Sequence, residues 1–210
     1  MFQIRLWLSL LGLLVAASGA AEINEGELHF LEAAPSPPSH HHRKHLTIDR
    51  QSLIDGWIHD RQCHEHMDAV TAMQIVFAPG KVRHLRIIQT KNIGRTWIEG
   101  SSVQAIDVKP DAVLCLESEL RALERDPATG LFLLASGPYM RRYLDGFFPL
   151  RLSLDIDYPA DRLRIVDVQP TTVRAKSRLQ PGRLQLHTTF EGRLNIHVQF
   201  EPVTSPSPGS

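Results

Sequence analysis

AMQIVFAPGKVRHLRIIQ, residues 72–89, decides the fold class. Met73, Ile75 and Phe77 alternate with smaller or polar residues, Ala78-Pro79-Gly80 marks a turn, and alternation resumes at Val82. Side chains of a strand project to opposite faces in turn, so this pattern reads as two strands around a tight connection. In 82–89 both faces are partly apolar: Val82, His84, Arg86 and Ile88 on one, Arg83, Leu85, Ile87 and Gln89 on the other. Outward from this hairpin the same texture recurs at 28–31, 46–48, 95–99, 102–108, 112–118, 131–134, 149–157, 162–168, 171–175, 183–190 and 194–200. Val, Ile, Leu, Phe and Thr dominate these runs, and Gly, Pro, Asp or Asn separate most of them. Many short strands joined by turns predict an all-β, antiparallel β-sandwich rather than a βαβ fold. Two short helices are expected: 118–125 (SELRALER), stopping before Pro127, and 138–145 (PYMRRYLD), with proline near its start and Gly146 past its end.

Four blocks recur in order through the two halves: 67–77 with 144–154, LRII at 85–88 with LRIV at 163–166, SSVQA at 101–105 with TTVRA at 171–175, and 110–117 with 181–188. A duplication would give two similar four- or five-stranded halves, 57–125 and 131–202, and would set Cys63 on Met140 and Cys115 on Leu186. The competing reading is that any two β-rich stretches resemble each other.

The first twenty residues have the parts of a secretory signal. Met1 to Arg5 is a short basic region, LWLSLLGLLVAA at 6–17 is apolar, and Ser18, Gly19 and Ala20 offer a small-residue cleavage site. Twelve apolar residues are fewer than the roughly 20 that span a bilayer, and no later stretch is long enough. The expectation is a periplasmic or secreted protein, cleaved near Ala20 and not integral to the membrane. Residues 21–45 then form an N-terminal segment and a Pro/His-rich linker, AAPSPPSHHHRKH at 33–45, because three prolines and a cationic histidine cluster make a poor core. The sandwich occupies 46–202, and 203–210 reads as a disordered tail.

The 23 basic and 23 acidic residues balance, which removes any long-range pull on nucleic acid or anionic membrane. The two cysteines, Cys63 and Cys115, read as a disulfide in an oxidising compartment.

Seven of the eleven histidines lie between 40 and 66. His40, His41, His42 and His45 fall in the linker, and His59, His64 and His66 surround Cys63. Neutral imidazole suits zinc, copper and nickel. If 57–68 is a strand, His64, His66 and Asp68 share a face; if it is a helix, His59, Cys63 and His66 do. His59, His64, His66 and Asp68 are therefore the candidate ligands for Cu or Zn, although no HExxH, paired CxxC or CxxCH accompanies them. The alternative is solvated histidines beside a strand with polar residues outward.

No G-x-S-x-G or S-x-x-K occurs, so no catalytic residue is assigned. Asp155 and Asp157, two apart on a strand, fit a solvated face paired with arginines. Asp68 and Asp145 fit turn caps. GPYMRRYLDGFF at 137–148 sets Tyr139, Arg141 and Arg142 together, a mix found at interaction surfaces and also in core-packing segments.

GWIHDRQCHEHMDAVTAMQIVF at 56–77 and PYMRRYLDGFFPLRLSLDIDYP at 138–159 resemble a group of uncharacterised exported proteins of Gram-negative bacteria. The resemblance spans roughly Leu46 to Pro202. It implies compartment and kind of protein, and carries no activity or site residue. The expected function is that of a non-catalytic binding or envelope-assembly protein with another envelope protein as partner. Metal binding or delivery through the His-rich segment is the alternative, and a hydrolase with an unrecognised site the third.

Overall fold

The computed structural model describes residues 24–32 and 39–203. In chain order the elements are β1 (His29–Leu31), β2 (His41–Thr47), α1 (Ser52–Asp55), β3 (Trp57–Met67), β4 (Val70–Val76), β5 (Val82–Glu99), β6 (Ser102–Arg121), β7 (Leu123–Arg125), β8 (Phe132–Tyr139), β9 (Arg141–Tyr143), β10 (Gly146–Phe148), β11 (Leu150–Asp157), β12 (Leu163–Gln169), α2 (Thr171–Lys176), β13 (Ser177–Gln180), β14 (Arg183–Glu191) and β15 (Leu194–Pro202). The chain is all-β, as its alternation predicts. Nine strands build a large sheet and four a small one, in the order β12-β15-β8-β7, while β9 and β10 make a separate hairpin. Every strand pair is antiparallel except β2 with β11, which run parallel. The predicted signal segment and most of the predicted tail lie outside the described residues.

The two sheets share one core. Leu46, Ile58, Leu152, Leu154, Ile156, Leu184, Leu186 and Phe190 from the large sheet meet Leu134, Leu163, Val168, Ile196, Val198 and Phe200 from the small one. Strict alternation produces this: in β11, Leu150, Leu152, Leu154 and Ile156 are buried while Arg151, Ser153, Asp155 and Asp157 are not. A second apolar cluster, including Met67, Val103, Val108, Leu114 and Leu116, supports the β4–β6 end of the large sheet. The twenty-residue β6 pairs with β3 over Ala112–Arg121, with β4 over Ser102–Val108, and with β5 along nearly its whole length.

Four local expectations are corrected. The linker of 33–45 ends early, because 41–47 is a strand in the middle of the large sheet, between β11 and β3. Its inward residues His42 and Lys44 are polar, so periodicity missed it. The predicted helix at 118–125 is instead the end of β6 followed by β7, and the one at 138–145 is the β9–β10 hairpin with its turn at Leu144, whose φ is 52°. Conversely, 171–175 is helical: Pro170 precedes the first turn and Val173 is the only buried residue of α2.

The duplication does not repeat in the pairing. LRII at 85–88 lies in β5 beside β6, whereas LRIV at 163–166 lies in β12 beside β15 in the other sheet. SSVQA is strand and TTVRA is helix. Met140 is 42% exposed while Leu186 is fully buried, so the apolar counterpart of the cysteine pair is not formed.

Candidate functional site

Cys63 and Cys115 face each other across β3 and β6 and form the disulfide that the sequence predicts. This removes Cys63 sulfur from any ligand set. The stretch around it is strand, yet its candidate ligands do not converge. The ladder is irregular between His64 and Met67, and His66 has φ 52°, which ends the alternation that would have kept His64, His66 and Asp68 on one face. His59 points outward, with Nε2 3.3 Å from Asp49 Oδ2. His66 Nδ1 lies 3.2 Å from Asp111 Oδ1. Asp68 accepts two hydrogen bonds from Arg141, at 2.6 and 2.7 Å. Only His64 turns inward. Among the described residues no group of three or more His, Cys, Asp or Glu is placed to hold a metal ion.

The expected interaction surface also divides. Tyr139 is buried, with its hydroxyl 2.5 Å from Ser136 Oγ, and so belongs to the core. Arg141 fixes Asp68 and donates to the Pro149 carbonyl at 3.1 Å. Arg142 stays exposed beside the turn, donating to the Leu144 carbonyl.

The structure assembles a polar chain inside the sandwich, joining His40, His42 and Lys44, which the sequence assigns to a linker, to residues of β3, β6 and β8. His40 Nε2 is 2.9 Å from His64 Nδ1, and the His64 ring stacks on His42 at 4.2 Å between centroids. His42 Nε2 donates to Gln62 Oε1 at 2.7 Å, Gln62 donates to Asp60 at 3.2 Å, and Asp60 pairs with Lys44 at 2.7 Å. Ser118 donates to the same carboxylate, and Tyr139 meets the His42 ring edge-on. Desolvation is the first cause that keeps these rings neutral: His40 is lowered to about 4, and His42 and His64 fall well below the usual imidazole range, with Lys44 adding to the effect on both. Nε2 of His64 is buried without a hydrogen-bond partner.

The outer face of the same strands carries a second constellation. His41 on β2 is in register with Arg151 of β11, and Ser153, two residues on, is in register with Arg43 and with His187 of β14. Ser153 Oγ lies 2.8 Å from His41 Nε2 and 3.0 Å from His187 Nδ1. The other ring nitrogen of His41 is 3.6 Å from Glu65 Oε2. Ser153, His41 and His187 open onto a groove of about 390 Å³ shared with Glu32, Arg151, Lys176 and Thr189. Desolvation, then the Arg151 charge, lowers His41 to about 4. A separation of 112 residues hides the Ser153–His41 pair from any sequence motif. A smaller groove of about 270 Å³ lies farther along the face among His45, His59, His84, Glu117 and Glu119.

The third feature is an edge. Among the described residues β5 hydrogen-bonds to β6 alone, leaving its other flank to solvent over eighteen residues. Ile88 and Ile98 are exposed along it. Arg83 and Arg86 are paired with Glu119 and Glu117 of β6, so Lys91 and Arg95 carry the positive charge left over on this strand among the described residues, and three irregularities bend its pairing with β6.

No protein-family model matches the chain, and no curated protein matches it. Among solved structures it is similar to an M1 zinc metallopeptidase from Deinococcus radiodurans bound to a Tyr-Ser-Ala substrate, at 15% identity and a TM-score of 0.40, over 88% of this chain and 45% of that one. Another structure of M1 zinc metallopeptidase from the same organism matches over the same shares at 13% identity and a TM-score of 0.36. The chain thus spans less than half the length of those chains. A likeness of this degree carries neither activity nor ligand to this protein.

Proposed function

We propose that the chain is an exported binding protein of the periplasm that takes an extended, acidic segment of another envelope protein along the free edge of β5. The disulfide and the apolar, small-residue-terminated start of the sequence support an oxidising compartment. Among the described residues no helix is long and apolar enough to cross a membrane.

The observation that carries the reading is the unpaired flank of β5. An exposed edge presents a row of backbone donors and acceptors that an incoming strand satisfies. Lys91 and Arg95, the β5 cations without a carboxylate partner among the described residues, decide which strand. They repel a second copy of the same edge and attract a partner rich in Asp and Glu. Exposed Ile88 and Ile98 provide apolar anchor points on the same strand. Such capture requires no catalytic group.

Photo-crosslinkers placed at Ile88 and Ile98, with the more exposed Ile54 of α1 as a control, test this in the native envelope. The expected product is an adduct from both β5 positions, mapping to an acidic extended segment, with none from Ile54. Adducts from Ile54 alone, or none from β5, refute it.

Metal binding is a second reading, favoured by the closeness of His40, His42 and His64 and by the unpartnered Nε2 of His64; since as they stand these rings do not form a ligand set, it requires them to rotate. Copper or zinc at this cluster predicts a rise in melting temperature with the metal that His64→Leu removes. No rise with either metal refutes it.

A further inference from the structure

We propose that Ser153 is a nucleophile, activated by His41, that accepts acyl groups from small esters lodged in the groove beside Arg151 and Lys176. This site draws on β2, β3, β11, α2 and β14 and is independent of the β5 edge.

The geometry assigns the protons. A serine hydroxyl donates one hydrogen bond and accepts others. Ser153 has two imidazoles on it, at 2.8 and 3.0 Å. The Glu65 carboxylate, 3.6 Å from His41 Nδ1, favours the tautomer that keeps the proton on Nδ1. Nε2 of His41 is then bare and accepts the Ser153 proton, while His187 Nδ1–H donates to the same oxygen and holds its rotamer. Nucleophile, base and orienting carboxylate stand in the order that acyl transfer requires, recognised by geometry and not by motif. The separation at Glu65 is longer than a hydrogen bond, and such contacts tighten when substrate binds.

Ser153 sits in the middle of a strand paired on both sides, so the backbone amides of β11 are engaged in its ladders. Charge on a tetrahedral oxyanion therefore falls to side chains, and the cations that share the groove are Arg151 and Lys176. These two cations outnumber Glu32, the one carboxylate lining the groove, and select esters with a carboxylate or phosphate flank. In the reaction Ser153 Oγ bonds to the acyl carbon as its proton moves to His41 Nε2. The ester C–O bond breaks, and the leaving alcohol takes that proton from His41. Water then attacks the acyl-serine by the same proton path, releasing the acid and restoring Ser153.

The test uses the full chain and a fluorophosphonate probe. Ser153 Oγ displaces fluoride from phosphorus, and the adduct is located by peptide mass. The expected result is one adduct per chain, on Ser153. Ser153→Ala abolishes it with the melting temperature unchanged. His41→Ala slows labelling by about 100-fold or more, the range of a lost general base, whereas His187→Ala slows it only a few-fold. Glu65 acts through His41 as a positioning residue, so Glu65→Gln slows labelling and Glu65→Asp restores most of the rate. Absence of a Ser153 adduct, equal labelling of folded Ser153→Ala, or a His41→Ala rate equal to that of the parent chain overturns the proposal.

Discussion

Lys44 Nζ lies 2.7 Å from Asp60 Oδ1 between adjacent strands, and both side chains are almost wholly removed from solvent. A lone buried charge is far costlier than a buried pair. Lys44→Met therefore costs about 3–5 kcal/mol of stability by stranding Asp60. The double variant Lys44→Met with Asp60→Leu recovers most of that loss. Urea denaturation of the three proteins measures both, and a mild single variant would show that water reaches the pair.

That pair also explains where the sequence misleads. The β class is legible in the alternation of 72–89 and of β11, whose buried leucines leave no other reading. The strand at 41–47 is not, because its inward positions hold His42 and Lys44 instead of aliphatic residues. Their suitability depends on Gln62 and Asp60, residues that only the β2–β3 register supplies. The cysteine pair is legible from compartment alone. The metal set is not, since a local irregularity at His66 turns one ligand away and Arg141 occupies another. The Ser153–His41 contact depends on a parallel pairing across 112 residues, which periodicity cannot register.

Stability falls on mild acidification. His40, His42 and His64 have folded-state values far below the 6.5 of the unfolded chain, through burial first and then Arg141, Lys44 and one another, with Asp68 opposing at His40 and the Gln62 hydrogen bond at His42. Below pH 6.5 the unfolded chain takes up protons that the folded rings refuse, so stability is full above 6.5 and declines toward pH 4. Each ring contributes about 1.4 kcal/mol per pH unit in that window. Urea midpoints at pH 7, 6 and 5 check the slope, and His64→Leu removes one ring's share of it.

Reduction of the disulfide destabilises the fold. Cys63 and Cys115 are 52 residues apart, and freeing a loop of that length costs roughly 4 kcal/mol in the chain-entropy account. Chemical denaturation of the Cys63→Ala, Cys115→Ala double variant measures the loss. An unchanged midpoint would contradict this account.

Gly192, between β14 and β15, cannot be replaced without strain. Its φ is +87°, and a Cβ there would stand 1.9 Å from the Glu27 carbonyl oxygen. Gly192→Ala is expected to cost about 2 kcal/mol or more, combining the left-handed penalty with displacement of the 24–32 segment. For a chain of this size that is a fall of roughly 4–8 °C in melting temperature.

Amide hydrogen exchange tests the β5 reading most directly. In the isolated protein the amides of Val82–Glu99 that face away from β6 exchange quickly. With the envelope partner bound, the account predicts that they become protected together, and that Lys91→Glu with Arg95→Glu abolishes that protection. A bound partner that leaves the β5 amides exchanging as before would contradict it.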